Sequence, residues 1–166
     1  MNIMNNKFIY ILLYLILCNV CLASNTGRET GLEIPRFVSI KSDDINIRIG
    51  PGKNYPILIK YIIKNFPLKI IDEHKEWRKV IDFEGNSGWI HKSLIKGERN
   101  AIIVTDNENN LLLYNTVLGK KIGEVKKSSL VELKKCKINW CLISKDNNYG
   151  WIEKKYLWGV KKNEIC

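Results

Sequence analysis

Apolar and polar residues alternate with period two along much of this chain. Ile45, Ile47 and Ile49 are separated by Asn46 and Arg48, the mark of a half-buried strand. Ile57 to Ile63, Leu68 to Ile71 and Trp77 to Phe83 are further runs rich in β-branched and aromatic residues. They are bounded by Gly50-Pro51-Gly52, Asn65-Phe66-Pro67, the charged Asp72 to Glu76, and Glu84 to Gly88. Proline presets the first central residue of a type II turn and glycine supplies the positive φ of the second, so Pro51 and Gly52 predict that turn. No segment carries a helical period, and the prediction is an all-β chain.

The pattern occurs twice. Gly88-Trp89-Ile90 recurs as Gly150-Trp151-Ile152, and each copy follows an earlier tryptophan, Trp77 or Trp140, that opens a short apolar run. Sliding the second half onto the first puts Leu111 to Tyr114 on Asn46 to Ile49, Leu130 to Leu133 on Pro67 to Ile70, and Trp140 to Ile143 on Trp77 to Val80. The offset falls from 65 to 63 across the loop after the first of these strands, where the second copy lacks the Gly-Pro-Gly turn. Asn147-Asn148 predicts the turn before Gly150, because asparagine tolerates left-handed backbone. Short strands, tight turns and the repeated tryptophan pair predict two small five-stranded barrels in tandem, which remove open sheet edges by curling. The units are placed at 37–97 and 101–160, with a tail at 161–166. The linker between them, Lys96 to Asn100, is so short that the units are expected to touch.

The first residues carry a different signal. Lys7, the apolar run Phe8 to Leu17 and Cys21-Leu22-Ala23 read as a secretion signal over 1–23. An uncleaved anchor and a lipoprotein signal using Cys18 or Cys21 are the rival readings; Asn19 inside the segment, and Leu17 and Val20 before the cysteines, tell against them. No later stretch is long enough to span a membrane. Residues 24–36, without apolar period, read as a tether. Removing 23 residues leaves 143 of the 166, and the formal charge of +10 falls by only the one lysine. That excess attracts anionic surfaces, although lysine is scattered and pairs up mainly in the second half.

The residues Asp44-Ile45-Asn46-Ile47-Arg48-Ile49-Gly50-Pro51-Gly52, Trp77-Arg78-Lys79-Val80 and Gly88-Trp89-Ile90-His91-Lys92-Ser93-Leu94 resemble the bacterial SH3-like domain family, with its Asn-Val-Arg-x-Gly-Pro opening and Gly-Trp-Val close. The second copy, with Cys136, Trp140-Cys141, Gly150-Trp151-Ile152 and Leu157-Trp158-Gly159-Val160, is similar to the partner domain of paired, exported members from Gram-negative bacteria. The resemblance implies SH3-like barrels in the periplasm or cell envelope, and a peptidoglycan peptide or an envelope protein as partner.

A two-residue turn at Ile138-Asn139 would make Cys136 and Cys141 direct cross-strand neighbours at a close pair, and a disulfide between them is expected. Export would let them oxidise. The same positions in the first copy are Glu73 and Arg78, expected to pair for about 0.2 to 1 kcal/mol. A metal would need two further ligands, and only His74 and His91, both in the other unit, are at hand, so no metal or cofactor is expected. A cysteine hydrolase would need a thiolate beside a histidine base, whereas Cys136 and Cys141 are committed to each other; the expectation is a binding protein rather than an enzyme. The candidate ligand-binding residues are Arg48, Tyr55, Trp77 and Trp89, with Trp140 and Trp151 in the second copy. Arg48 suits a carboxylate, with a brace for the Gly50 to Tyr55 loop as its structural alternative. Trp89 and Trp151 are expected to pack in the cores more than to bind, and His91 reads as a solvated turn residue. The alternatives to envelope recognition are an assembly protein whose tryptophans seal the junction between copies, and nonspecific, salt-sensitive binding of nucleic acid or anionic lipid through the lysine-rich half, with nucleic acid not the expected partner.

Overall fold

The computed structural model describes residues 25–106 and 110–166, so the expected signal over 1–23 lies outside the described residues. Among these the chain is all-β apart from two 3-10 turns, Lys92–Leu94 and Lys154–Tyr156. The first unit holds β1 (Arg36–Ile40), β2 (Ile45–Arg48), β3 (Ile57–Tyr61), β4 (Pro67–His74), β5 (Trp77–Ile81), β6 (Ser87–His91) and β7 (Ile95–Lys96), in the sheet order β3-β2-β6-β5-β4-β1-β7. The second repeats that order with β8 (Asn100–Ile103), β9 (Leu111–Tyr114), β10 (Lys121–Val125), β11 (Leu130–Cys136), β12 (Trp140–Lys145), β13 (Asn148–Glu153) and β14 (Leu157–Trp158). The tandem of two small β units is as expected, but the barrels are not closed. No ladder among the described residues joins β3 to β7 or β10 to β14. The sheets also have seven strands rather than five, because β1 and β8 open each unit and the short β7 and β14 leave the 3-10 turns and pair with them.

Alternation decides which side chains face inward. Ile45 and Ile47 are buried beneath β2 while Asn46 and Arg48 face outward. Ile49 breaks the pattern at 54% exposure, since the strand ends at Arg48 and the chain turns there. Ile49 N donates to Pro56 O and Gly52 N to Gly50 O. The latter bond spans Pro51 alone, and Gly52 lies outside the left-handed region. The expected type II turn is therefore replaced by a γ-type turn that suits the φ of proline.

The Gly-Trp-Ile motif has a three-part explanation. A Cβ on Gly88 would stand 2.4 Å from Ile47 Cγ2, and one on Gly150 would stand 2.8 Å from Leu113 Cβ, so glycine lets β2 and β9 cross close over β6 and β13. The isoleucine enters the core at Ile90 and Ile152, and the tryptophan between them faces out, half-buried. Neither Trp89 nor Trp151 belongs to a core cluster, which corrects the packing expectation. The cores are mainly aliphatic instead, with Phe66 in the first and the Cys136 and Cys141 side chains in the second.

The crossing also fixes how the copies correspond. Arg48 pairs with Trp89, and Tyr114 with Trp151, so Leu111–Tyr114 matches Ile45–Arg48 rather than Asn46 to Ile49. The expected alignment was one residue out, a slip that would exchange the two faces of the strand. The turn before Gly150 likewise sits one residue earlier: Asp146 and Asn147 carry the positive φ, between the paired Lys145 and Asn148.

The units touch. Ile102 of β8 lies in the core of the first unit, Asn100 Nδ2 donates to Ser39 Oγ at 2.9 Å in a buried bond, and the Trp158 ring packs edge-on to Phe37 at 5.1 Å. The segment expected as a tether is docked as well: Thr26 bridges Glu33, and the turn between them wraps the Glu73 side chain. The tail docks on the other unit, where Cys166 exchanges both backbone hydrogen bonds with Cys136.

Candidate functional site

The outward residues of three neighbouring strands make one face on the first unit. Asn46 and Arg48 come from β2, Trp89 and His91 from β6, and Trp77 and Lys79 from β5, each half-buried opposite the core side chains of its strand. Trp77 lies opposite His91 in register, and their rings meet edge-on at 5.5 Å. His91 is thus the last residue of β6 and packs on tryptophan, rather than a solvated turn residue; its Nδ1 hydrogen-bonds Ser93 Oγ at 2.8 Å. It follows Trp89 by two, so the strand period alone could have put it on this face.

A cleft of about 360 Å³ opens beside this pair. Its walls include Asp44, Asn46, Arg48, Lys53, Trp77 and His91. Arg48 Nη1 donates to Tyr55 O at 2.7 Å, so the side chain does brace the loop, yet a guanidinium has further N–H donors to offer. Asn46 Oδ1 is buried with no donor among the described residues. An orphan acceptor of this kind costs free energy unless something meets it. Asp44 is paired with Lys60 at 3.0 Å. The cleft therefore offers cations, a carboxylate, an unmet acceptor and an aromatic wall.

Of the sequence candidates, Arg48 and Trp77 meet in this cleft. Tyr55 contributes its carbonyl to Arg48, and its ring packs over Gly50. Trp89 shares the face but stands outside the cleft, edge-on to His74 at 6.5 Å. In the second unit Trp140 lines a separate cleft of about 610 Å³, while Trp151 stands apart with Lys137 Nζ 5.1 Å over its ring. Tyr114, at the position of Arg48, meets the Trp140 ring edge-on at 5.5 Å. Sequence reasoning missed Tyr114 through the one-residue slip, and missed Asn46 because only the fold shows its acceptor to be orphaned.

The disulfide between Cys136 and Cys141 is present, with the two Cα atoms 4.1 Å apart in a directly opposed pair and Lys137 N donating to Trp140 O across the turn. In the first unit Glu73 and Arg78 are opposed in the same way, with a 3.4 Å ion pair. This pair is buried rather than superficial. Glu73 also accepts from Arg36 Nη2 at 2.6 Å, Thr30 Oγ1 at 2.8 Å, and the backbone N–H groups of Glu29 and Thr30. A Cβ on Gly27 would stand 2.4 Å from its carboxylate, so glycine is needed there. Burial alone would raise the Glu73 carboxyl; these hydrogen bonds outweigh it and hold it down at about 2. Burial and a hydrogen bond to Asp82 push the Tyr61 hydroxyl up, and the bonds that Asp82 receives from Tyr61 and Asn86 outweigh its own burial and lower it. Neither cluster lines the cleft.

Among known proteins, the family model for the bacterial SH3 domain matches residues 41–97 and 121–159. No curated protein matches the chain in sequence. Similar solved structures include an NlpC/P60 family protein from Bacillus cereus, 13% identical, with 74% of this chain and 55% of that one covered and a TM-score of 0.33. NlpC2 from Trichomonas vaginalis is 14% identical over 75% of this chain and 48% of its own, with a TM-score of 0.32. NlpC1 from the same organism is 14% identical over 82% and 50%, at 0.33. The chain spans about half the length of these structures.

Proposed function

The chain belongs to the bacterial SH3 domain family, and on that premise we propose that it is a non-enzymatic, exported binding module that takes a peptidoglycan peptide of the cell envelope in the first-unit cleft. The observation that carries this reading is the meeting of Arg48, Trp77 and the orphan acceptor of Asn46 in one cleft. Stem peptides bear both carboxylates and amines. Arg48 and Lys53 suit the former, Asn46 Oδ1 and Asp44 the latter, and Trp77 offers an apolar wall to the backbone between them. The disulfide is compatible with an oxidising compartment. It also takes Cys136 and Cys141 out of use as nucleophiles, which supports binding over catalysis.

Co-sedimentation with isolated sacculi over a range of salt tests the proposal. The native protein is expected to sediment at all salt concentrations, and Trp77→Ala and Arg48→Ala each to weaken retention by about tenfold, the worth of one charge-assisted contact. Retention that vanishes with salt alone, in native protein and variants alike, would assign the binding to bulk charge. No retention at any salt would favour an assembly role.

A further inference from the structure

The second-unit cleft shares with the first the loop after the second strand, the tryptophan that opens the fifth and the end of the sixth, but Ile138 and Asn139 and the chain at Leu157 to Lys162 wall it in place of β9, and its chemistry differs. Where Lys53 edges the first cleft, Leu118 edges the second, 83% exposed. Leu118 has a positive φ of 58°, a strained conformation for a leucine. It is held there by a closed loop in which Asn115 N donates to Lys120 O and Lys120 N to Asn115 Oδ1. Ile138, 69% exposed, faces the same space, with the half-buried Trp140 and Val160 and the buried Leu157. These side chains form the apolar half of a cleft of about 610 Å³ open to solvent, and Asn139, Glu153 and three lysines line the rest.

Its charge is not neutral. Lys154 is buried in the floor, its ammonium donating to the carbonyls of Ile138, Lys162 and Glu164. Lys155 is tied to Glu153 at 2.8 Å, whereas Lys162 forms no ion pair among the described residues. Three lysines against one glutamate leave a cationic excess around an apolar cleft. We infer that this cleft is a second, independent binding site, which takes a protein segment bearing a bulky apolar side chain flanked by carboxylates. The apolar side chain would fill the space between Leu118, Ile138 and Trp140, and a flanking carboxylate would meet Lys162. The first cleft, with its own carboxylate and polar walls, suits a different ligand, so the tandem joins two partners rather than doubling one.

The test is 19F NMR on protein carrying 5-fluorotryptophan, whose five tryptophans give resonances assignable by single Trp→Phe replacements. The probe is acetyl-Asp-Leu-Leu-Glu-amide, compared with acetyl-Lys-Leu-Leu-Lys-amide and acetyl-Asp-Ser-Ser-Glu-amide. Only the first is expected to move the Trp140 resonance, with Trp77 unchanged. Leu118→Ser and Lys162→Glu, both at exposed positions, should each weaken the effect by about fivefold or more, the scale of a lost apolar or ionic contact. Three results would overturn the inference: no movement of Trp140 at millimolar peptide, equal movement with the basic or serine peptide, or undiminished binding in both variants. Movement of Trp140 by phosphatidylglycerol vesicles and not by the acidic peptide would also overturn it, and would assign the site to lipid.

Discussion

Glu73 shows how far one side chain can organise a small domain. Its carboxylate draws Arg36, Arg78 and the turn at Glu29-Thr30 onto the end of β4. Its carboxyl is depressed from 4.5 to about 2 in the folded state, so the associated stability is present above the unfolded value and is lost as pH falls through the folded one. The linkage is worth on the order of 3 kcal/mol at neutral pH. Acid titration of stability should therefore fall between about pH 5 and pH 2, and Glu73→Gln should flatten that limb while destabilising the protein at pH 7 by about 3 kcal/mol. An unchanged acid limb in the variant would contradict the assignment. The pairing of Glu73 with Arg78 was legible in the sequence, because it occupies the position of the cysteine pair. The contribution of Gly27 to Thr30 was not. That segment has no periodicity, and its role appears only when the strand it wraps is in place.

At the level of strands, the disulfide and the edge strands set the two copies apart. Cys136–Cys141 closes a short loop, for which chain entropy gives about 2 kcal/mol. A Cys136→Ser, Cys141→Ser double variant should lose about that much in denaturant unfolding, and the loss should match that of the native protein under reducing conditions. The edges differ in protection. On β10 Lys121 and Glu124 form a 2.8 Å ion pair, while at the matching places β3 has Ile57 and Lys60, and Leu58 beside them is 50% exposed. Charged residues blunt an open edge, so β10, with two, is better guarded than β3, where Lys60 alone is charged and pairs with Asp44. Strands β2 to β6 were readable from alternation and from runs of β-branched and aromatic residues, and the order of parts from the repeated Gly-Trp-Ile; β1, β7, β8 and β14 were not, and Lys96 and Asn100, read as linker, end β7 and open β8. The register of β9 was not readable either, because Leu111 to Tyr114 contains three consecutive leucines and offers no alternation to say which face is inward.

For the whole molecule, the junction is expected to make the tandem unfold as one. Asn100 with Ser39, Trp158 against Phe37, and Ile102 within the first core tie the second unit to the first. Trp158 is the tryptophan that seals the junction; the four at matching positions face elsewhere. Unfolding followed by fluorescence and by far-UV circular dichroism should coincide in the native protein, and Trp158→Ala should cost about 2 kcal/mol and separate the two transitions. Coincident curves in the variant would mean that the junction contributes little. Above this scaffold the two clefts carry different walls, and the functional reading rests on the first. The most direct measurement is a titration of 15N-labelled protein with a soluble muropeptide that keeps its stem peptide. The account predicts shifts confined to the Trp77 indole, the Asn46 side-chain amide and the backbone of His91 and Ser93, with about tenfold more ligand needed for the same shifts in Arg48→Ala. Shifts spread over the lysine pairs of the second unit, or none at all, would contradict it.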